Sequence, residues 1–242
     1  MPDPTIKISG LSKHFGPKTA LAGVDISLQA GEFLTVFGPN GSGKTTMMRI
    51  IASLSRPSTG SVELFGKNIR RASAHVRQRI GFVTHRSLLY SSLSGFQNVH
   101  FFARMFGVDN PADRAREILS VMGLEHRMDD EVFTYSRGLE QRCAIARALV
   151  HHPDILLLDE PFSGLDPDAS ARLQNLLVDP EGKSRTVILT SHDLAHGVRQ
   201  ADRVAILTRG RIGFTAPVEQ IEAGAMPDIY RCLLYTSPSP RD

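Results

Sequence analysis

Cysteine is scarce in this sequence, and long apolar runs are missing. The 242 residues contain two cysteines, too few for a disulfide framework or for the paired spacing of a zinc site. No run of 18 apolar residues occurs, which predicts that no segment spans a bilayer. Residues 1–4 lack the basic and apolar regions that open a signal peptide. We therefore expect a cytoplasmic protein.

A large charge imbalance is also lacking, since the formal net charge is +3 at pH 7. This value neither requires nor excludes nucleic acid or an anionic membrane surface as a partner. A basic run at Arg70, Arg71, Arg77 and Arg79 favours a solvated helix face, with nucleic-acid contact as the alternative. Because the run has no interleaved aromatic residues, we expect no direct nucleic-acid partner.

The last eleven residues, 232–242, read CLLYTSPSPRD and resemble a translated sequencing-library adapter. The alternative is a genuine tail rich in serine and proline. We predict a single domain over residues 1–231 and set residues 232–242 apart. On the adapter interpretation, Cys143 is the only native cysteine.

The most specific motif fits the phosphate-loop pattern G-x-x-x-x-G-K-[ST]. Residues 32–37 before it are β-prone and residues 47–54 after it favour a helix, which is the context that the motif needs. Backbone N–H groups and the positive end of a helix can bind a triphosphate there. We predict that Lys44 reaches the β- and γ-phosphates, that Thr45 holds Mg²⁺ and that Thr46 donates near the α-phosphate. The loop consists of Gly38, Pro39, Asn40, Gly41, Ser42, Gly43, Lys44, Thr45 and Thr46.

Two acidic residues follow an apolar segment later in the chain. Residues 155–158 predict a strand that is buried on both faces of a parallel sheet, and Asp159 and Glu160 come directly after it. Open α/β sheets bind ligands at this end of their strands. We predict that Asp159 holds Mg²⁺, directly or through water, and that Glu160 orients and deprotonates the attacking water. The alternative is a solvated acidic turn.

A second buried strand, residues 186–190, precedes His192. An imidazole at this end of a strand can hydrogen-bond a γ-phosphate, and we predict that role. His192 and His196 also resemble the H-E-x-x-H zinc motif. Zinc is the weaker alternative, because the acid after His192 is Asp193 and no third ligand is evident.

The remaining patterns predict an α/β fold with an antiparallel β layer beside a parallel core. Residues 94–150 favour helices, with a capping box at Ser94 and Gln97 and an N-cap at Ser136. We place the core at residues 1–85 and 151–231 and an inserted helical subdomain at residues 86–150. Four aromatic side chains are predicted to fill the core of that subdomain, with a partner-binding groove as the alternative: Phe96, Phe101, Phe102 and Phe106.

The order of these motifs resembles that of the ATP-binding cassette (ABC) family over residues 5–215. The aromatic that stacks on adenine is matched by Phe15, and the switch histidine by His192. His85 lies where the family usually has a glutamine that joins the metal site to the membrane partner. Ser136 and Gly138 match the signature, usually LSGGQ. Further matches are residues 38–46, Asp159 with Glu160, and Asp166 in the loop of residues 163–166.

This resemblance implies a P-loop NTPase (RecA-like) core and an ATPase that uses ATP and Mg²⁺. It also implies a head-to-tail dimer, here a homodimer, in which one subunit caps the γ-phosphate held by its partner subunit. The residues that the resemblance implies for contact with the partner's nucleotide are Ser136, Gly138 and Asp166. The further partners implied are integral-membrane permease subunits, which would hold the chain on the inner face of the cell membrane.

The signature departs from the family pattern, with Arg137 and Leu139 in place of glycine and glutamine. We expect a competent site with an added positive charge. Imidazole at His85 can still hydrogen-bond. Residues 81–107 resemble the heme-exporter ATPases of cytochrome c maturation. The alternatives are an exporter motor for drugs, lipids or polysaccharides, and a non-transport ATPase of the same fold that acts on nucleic acid or iron–sulfur scaffolds.

Overall fold

The structure is a computed structural model that describes residues 3–71, 73–177, 185–222 and 224–236. The chain forms two compact units. The first comprises Met1–Ser73 and Thr186–Asp242, and the second comprises Ala74–Arg185. Residues 237–242 of the predicted adapter segment lie outside the described residues. None of the helices in the described ranges is long and apolar enough to cross a membrane.

Strands and helices alternate along much of the chain. The strands are β1 (Ile6–Phe15), β2 (Lys18–Leu28), β3 (Phe33–Phe37), β4 (Thr59–Leu64), β5 (Lys67–Asn68), β6 (Ile80–Val83), β7 (Ile155–Asp159), β8 (Thr186–Ser191), β9 (Arg203–Thr208) and β10 (Arg211–Pro217). The helices are α1 (Lys44–Ile51), α2 (Ala74–Arg77), α3 (Gly95–Met105), α4 (Pro111–Val121), α5 (Arg137–Leu149), α6 (Pro167–Leu177), α7 (Leu194–Val198) and α8 (Met226–Thr236).

The antiparallel layer belongs to the first unit and has the strand order β2-β1-β4-β5. Strand β1 pairs on one side with β2, where Ile6 faces Leu28, and on the other with β4, where Ile6 faces Leu64. These three side chains are fully buried. The alternation of apolar and polar residues predicted this layer, because successive side chains of a strand point to opposite faces. The antiparallel layer is therefore confirmed.

The parallel core of the first unit is built on β3. This strand pairs in parallel with β8 and with β9, and β10 adds to β9 in antiparallel orientation. Every residue of β3 and of β8 is buried, as expected of parallel strands that are covered on both faces. Phe37 pairs with Ser191 at the carboxyl ends of β3 and β8. The segments that begin at Gly38 and at His192 therefore leave the same edge of the sheet.

The second unit combines a parallel strand pair with the helices of the chain's middle part. Strands β6 and β7 pair in parallel, and Val83 lies opposite Leu158 near their carboxyl ends. The capping box at the start of α3 is present: Ser94 Oγ accepts from the N–H of Gln97 at 3.1 Å, and Gln97 Oε1 accepts from the N–H of Ser94 at 2.9 Å. The predicted helical subdomain, residues 86–150, falls inside this unit.

The prediction that four phenylalanines fill the core of the helical subdomain is wrong. Phe101 is 44% exposed, and none of the other three phenylalanines is fully buried. The buried positions of α3 and α4 carry smaller side chains instead, among them Val99, Ala103 and Leu119. Closely packed helices leave little volume between them, so branched and small residues fill the centre. Three of the phenylalanine rings contact one another around it, in the edge-to-face pair of Phe101 and Phe102 and the stacked pair of Phe102 and Phe106.

Candidate functional site

The phosphate-loop segment begins directly after β3 and ends in the first turn of α1. Its backbone has no room for side chains at two glycines. A Cβ at Gly38 would lie 2.2 Å from the carbonyl oxygen of Leu207. A Cβ at Gly43, whose φ is +111°, would lie 2.4 Å from the carbonyl oxygen of Ala20. Because these contacts are far below any real Cβ distance, both positions require glycine.

Two side chains of the loop are buried polar groups. Lys44 is 6% exposed, and its ammonium donates to the carbonyl oxygens of Gly38 at 2.5 Å and Pro39 at 3.3 Å. The hydroxyl of Ser42 is buried and has no hydrogen-bond partner. A buried polar group without a partner costs free energy, and a bound ion or water is one explanation for such a group in a native structure. The loop therefore fits an oxygen-rich anion.

A turn elsewhere in the first unit supports the loop. The N–H of Gly210 donates to the carbonyl oxygen of Ser42 at 2.9 Å. The carbonyl oxygen of Gly210 in turn accepts from the N–H of Ala22 at 2.8 Å. Gly210 thus links the phosphate loop to β2. The sequence motifs do not single out Gly210, because a contact to a residue 168 positions away leaves no local pattern.

Phe15 and His192 also lie in the first unit. Phe15 ends β1 and is 53% exposed, so one face of its ring is accessible for stacking. The ammonium of Lys13 lies 4.8 Å from the centre of that ring, a cation–π contact. His192 is exposed and follows Ser191, the residue that pairs with Phe37. The structure places His192 at the edge from which the phosphate loop leaves β3.

The two predicted acids occupy the carboxyl end of β7 in the second unit. Asp159 is 2% exposed and is the last residue of the strand. Glu160 follows with φ of 54°, in the left-handed region that residues other than glycine rarely adopt. Such a conformation costs on the order of 1–3 kcal/mol and concentrates at functional positions. Six other non-glycine residues in the described ranges also have a positive φ, so the backbone at Glu160 agrees with a functional role without singling it out.

His85 lies two residues beyond β6, the neighbour of β7. Its side chain is exposed, and Nδ1 lies 3.3 Å from the hydroxyl of Thr84. Since Val83 pairs with Leu158, the segments that carry His85 and the two acids leave the same edge of this strand pair.

Buried Arg147 supports strand β6, and sequence reasoning assigned it no role. Its guanidinium donates to the carbonyl oxygen of Phe82 at 2.6 Å and lies 5.2 Å from the ring centre of Phe102. Burial lowers the pKa of Arg147 to about 10, and the nearby Cys143 opposes that shift. A buried guanidinium must find partners, so this bond ties α5 to the strand that leads to His85.

The signature residues begin α5. Ser136 is the N-cap, and its hydroxyl accepts from the N–H of Leu139 at 3.3 Å. Gly138 closely approaches Gly164, since a Cβ there would lie 3.1 Å from the Gly164 carbonyl oxygen. Asp166 caps α6 by accepting from the N–H of Ala169 at 2.7 Å. This cap was missed from sequence, although an acidic residue before proline is a known start signal for helices.

The structure groups the predicted residues in two sets. The first unit holds Phe15, residues 38–46 and His192, and the second holds His85, Ser136, Gly138, Asp159, Glu160 and Asp166. In the ranges that the structure describes, no cluster of three or more His, Cys, Asp and Glu side chains is suited to a metal ion. The side chain of His196, named in the zinc alternative, lies outside those ranges. The roles of the individual residues stay predictions.

Comparison with known proteins identifies relatives over most of the chain. It is 34% identical over 226 residues to a Nod factor export ATP-binding protein I of Burkholderia lata, covering 92% of this chain and 74% of that protein. A daunorubicin resistance ATP-binding protein of Streptomyces coeruleorubidus is 34% identical, with 92% and 71% covered. An aliphatic sulfonates import ATP-binding protein of Nocardia farcinica is 37% identical, with 93% and 88% covered.

The structural comparison agrees with the sequence comparison. A dimeric ATP-binding cassette in a post-hydrolysis state, bound to ADP and Pi, has a TM-score of 0.81 and 28% identity. The likeness covers 89% of this chain and all of that one. The predicted α/β fold of a P-loop NTPase is therefore confirmed. The ABC transporter family model matches residues 21–163. The chain thus belongs to the ABC transporter family, as an ATPase domain of that family.

Proposed function

We propose that the chain is the ATP-hydrolysing motor subunit of an ABC exporter whose cargo is a drug, a lipid or a glycan. The observation that carries the nucleotide part is the phosphate loop, with its two sterically required glycines and the buried, unpaired hydroxyl of Ser42. The export part is supported by relatives named for Nod factor export and daunorubicin resistance. An import protein is among the relatives too, so the direction of transport needs its own test.

The proposed chemistry is in-line attack of water on the γ-phosphate. Glu160 orients and deprotonates the water, a contribution of roughly 10²–10⁴-fold in rate for a positioned general base. Lys44 and His192 stabilise the charge that develops on the transferred phosphoryl group. The ring of Phe15 stacks on the adenine.

Mg²⁺ is the metal that we propose for these residues, from the chemistry of their oxygen atoms. The hydroxyl of Thr45 and the buried carboxylate of Asp159 are hard oxygen ligands of the kind that Mg²⁺ prefers. When bound, the ion would neutralise negative charge on the phosphates. His85 is proposed to hydrogen-bond near this metal.

We propose that two copies of the chain form a head-to-tail dimer. Ser136, Gly138 and Asp166 of one subunit then meet the nucleotide that the partner subunit holds. The dimeric state named for the similar cassette supports this arrangement. Integral-membrane permease subunits are the proposed further partners, and they would hold the motor on the cytoplasmic face of the membrane.

The test of the chemistry is Glu160→Gln, measured by phosphate release and by binding of a fluorescent ATP analogue. We expect hydrolysis to fall by at least about 100-fold, with nucleotide affinity kept, because the amide cannot accept the proton. Glu117→Gln is the matched control, since that carboxylate is 62% exposed on α4. Normal hydrolysis by Glu160→Gln would remove this residue from its role.

A heme exporter of cytochrome c maturation is the second candidate function. The likeness of residues 81–107 to that group, including His85 before Leu89 and Tyr90, favours it. The names of the relatives reported above do not support it. We therefore rank it below the wider exporter proposal.

Reconstitution with the permease subunits separates these candidates. Purified complex in vesicles should hydrolyse ATP faster with its own cargo, so heme, daunorubicin and a lipid-linked glycan are offered in parallel. Stimulation by heme alone would promote the second candidate. Failure to associate with any multi-span subunit, together with DNA-stimulated hydrolysis that falls steeply with salt, would favour a non-transport ATPase.

A further inference from the structure

Arg137 is the side chain that departs most from the usual signature, and the structure shows what it contacts. Its guanidinium Nη2 donates to the hydroxyl of Ser163 at 3.3 Å. A Cβ placed on Gly164 would lie 3.4 Å from Nε and 3.5 Å from Cδ and Cγ of the same arginine. The side chain thus lies along the backbone at Gly164 and bonds its neighbour. The contacted segment, residues 161–166, is called the 161–166 turn below.

Two further contacts join the start of α5 to the 161–166 turn. Gly138 approaches the carbonyl oxygen of Gly164, as described above. Gln141 donates from Nε2 to the carbonyl oxygen of Pro161 at 3.1 Å. Of these three contacts, the one made by Arg137 could not exist with glycine at that position. This chain therefore has an added link between the two segments.

The link matters because both segments carry residues proposed to meet the partner's nucleotide. Ser136 and Gly138 lie at the start of α5, and Asp166 ends the turn. Association is weakened when loops must be ordered as an interface forms, and it is strengthened when they are ordered beforehand. An exposed bond of this kind adds little to the folded state itself. Its effect should appear locally, in the order of the 161–166 turn, and again when the dimer closes.

We propose that Arg137 is a positioning residue that holds the 161–166 turn against α5 and so lowers the ATP concentration at which two copies of the chain close. This inference rests on the proposed dimer. The side chain of Arg137 acts through its hydrogen bond to Ser163, and it takes no part in the chemical step.

The test begins with the nucleotide-free protein. Amide hydrogen exchange is measured for residues 161–166 in the unaltered chain, in Arg137→Ala and in Ser163→Ala. We expect faster exchange in both variants, because the bond that each one removes is the same. Arg116→Ala is the control, since that exposed arginine lies on α4. Unchanged exchange in Arg137→Ala would overturn the proposal, whatever the nucleotide does.

The second measurement uses ATP. The ATP concentration that gives half-maximal dimer formation is determined by light scattering in the Glu160→Gln background. The ATP concentration that gives half-maximal hydrolysis is determined in the chain that carries Glu160. We expect both half-saturating ATP concentrations to rise by about 3- to 10-fold in Arg137→Ala, because one hydrogen bond is lost at each of two symmetric sites. We expect kcat to change by no more than about twofold. Binding of a fluorescent ATP analogue to the single subunit should stay the same. Arg137→Lys keeps an aliphatic stem and a hydrogen-bond donor, so its half-saturating ATP concentration should lie between those of Arg137→Ala and the unaltered chain.

A double-mutant cycle decides between positioning and direct charge. If Arg137 acts through Ser163, adding Arg137→Ala to Ser163→Ala should produce no further rise in half-saturating ATP. If Arg137→Ala raises half-saturating ATP by the same factor with and without the Ser163 hydroxyl, the two effects are additive. That result would overturn the positioning role and favour direct contact of Arg137 with the phosphates. If exchange rises as expected but the unaltered chain neither dimerises with ATP nor hydrolyses it, the proposed function fails and the link between α5 and the turn stands.

Discussion

The backbone N–H of Gly210 donates to the carbonyl oxygen of Ser42, and this 2.9 Å bond joins the β9–β10 turn to the phosphate loop. The turn closes the hairpin at one end of the first unit's sheet. The predicted phosphate loop is therefore held in place by a residue that lies outside the sequence motifs for nucleotide binding.

We expect Gly210→Ala to weaken ATP binding as well as the fold. The residue has φ of +76°, and an added Cβ would lie 2.8 Å from the carbonyl oxygen of Ala20. The turn must shift and take the Ser42 carbonyl with it, so we expect about tenfold weaker binding of a fluorescent ATP analogue. Gly66→Ala is the matched control, because Gly66 has φ of +71° and open space around its Cβ. That control should cost about 1–2 kcal/mol in stability from strain alone and leave affinity unchanged. Equal behaviour of the two variants would contradict the bracing role.

Ser94→Ala should destabilise the second unit. The substitution removes the hydroxyl that accepts from the Gln97 N–H and leaves that donor at the start of α3 without its cap. We expect the free energy of unfolding to fall by about 1–2 kcal/mol in urea titrations. Ser94→Thr should retain most of the stability, because threonine also caps. Ser91→Ala, at an exposed neighbouring serine, is the second control, and a loss as large as that of Ser94→Ala would argue against the capping box.

His151 predicts a specific acid sensitivity of the fold. Its ring stacks on Phe106 with centres 4.0 Å apart, and burial lowers its pKa from 6.5 to about 4. Between these two values the unfolded chain binds a proton that the folded chain does not, so stability falls as the pH falls through this window. The slope should reach up to about 1.4 kcal/mol per pH unit.

The check is a comparison of denaturation midpoints for His151→Leu and the unaltered chain from pH 8 to pH 4. The variant should lose stability less steeply below pH 6.5, the unshifted value for histidine. His126→Leu serves as control, because that histidine is exposed. Parallel pH profiles for the His151 variant and the unaltered chain would show that this ring carries no such linkage.

Cys143 should be chemically silent in the native protein. It is fully buried and in no disulfide, and burial raises the pKa of its thiol to about 12. Since the thiolate is the reactive form, we expect a disulfide reagent at pH 8 to modify it only after unfolding. Cys232 is exposed and supplies a fast-reacting reference thiol, which Cys232→Ser removes. Rapid labelling in that variant before any loss of structure would contradict the packing of α5.

Much of the site could be predicted from the sequence because its determinants are local. A phosphate loop needs glycines, a lysine and a hydroxyl within nine residues. A buried strand followed by two acids can be recognised within six residues. The caps at Ser94 and Ser136 were predictable for the same reason, since each acts on an N–H three residues away. The cargo was not predictable, because on the proposed function it would be recognised by the permease subunits.

The sequence by itself determined the family, the order of strands and helices, and the residue types that a nucleotide requires, because short-range patterns specify these. Only the tertiary structure decided that Gly210 braces Ser42, that Arg147 bonds the Phe82 carbonyl and that Arg137 reaches the 161–166 turn. It also decided which side chains fill the helical core, where volume favoured Val99 and Leu119 over the larger rings. Such contacts join residues far apart in the chain, and they depend on packing volume and on the hydrogen-bonding needs of buried groups. Neither of these leaves a periodic trace in the sequence.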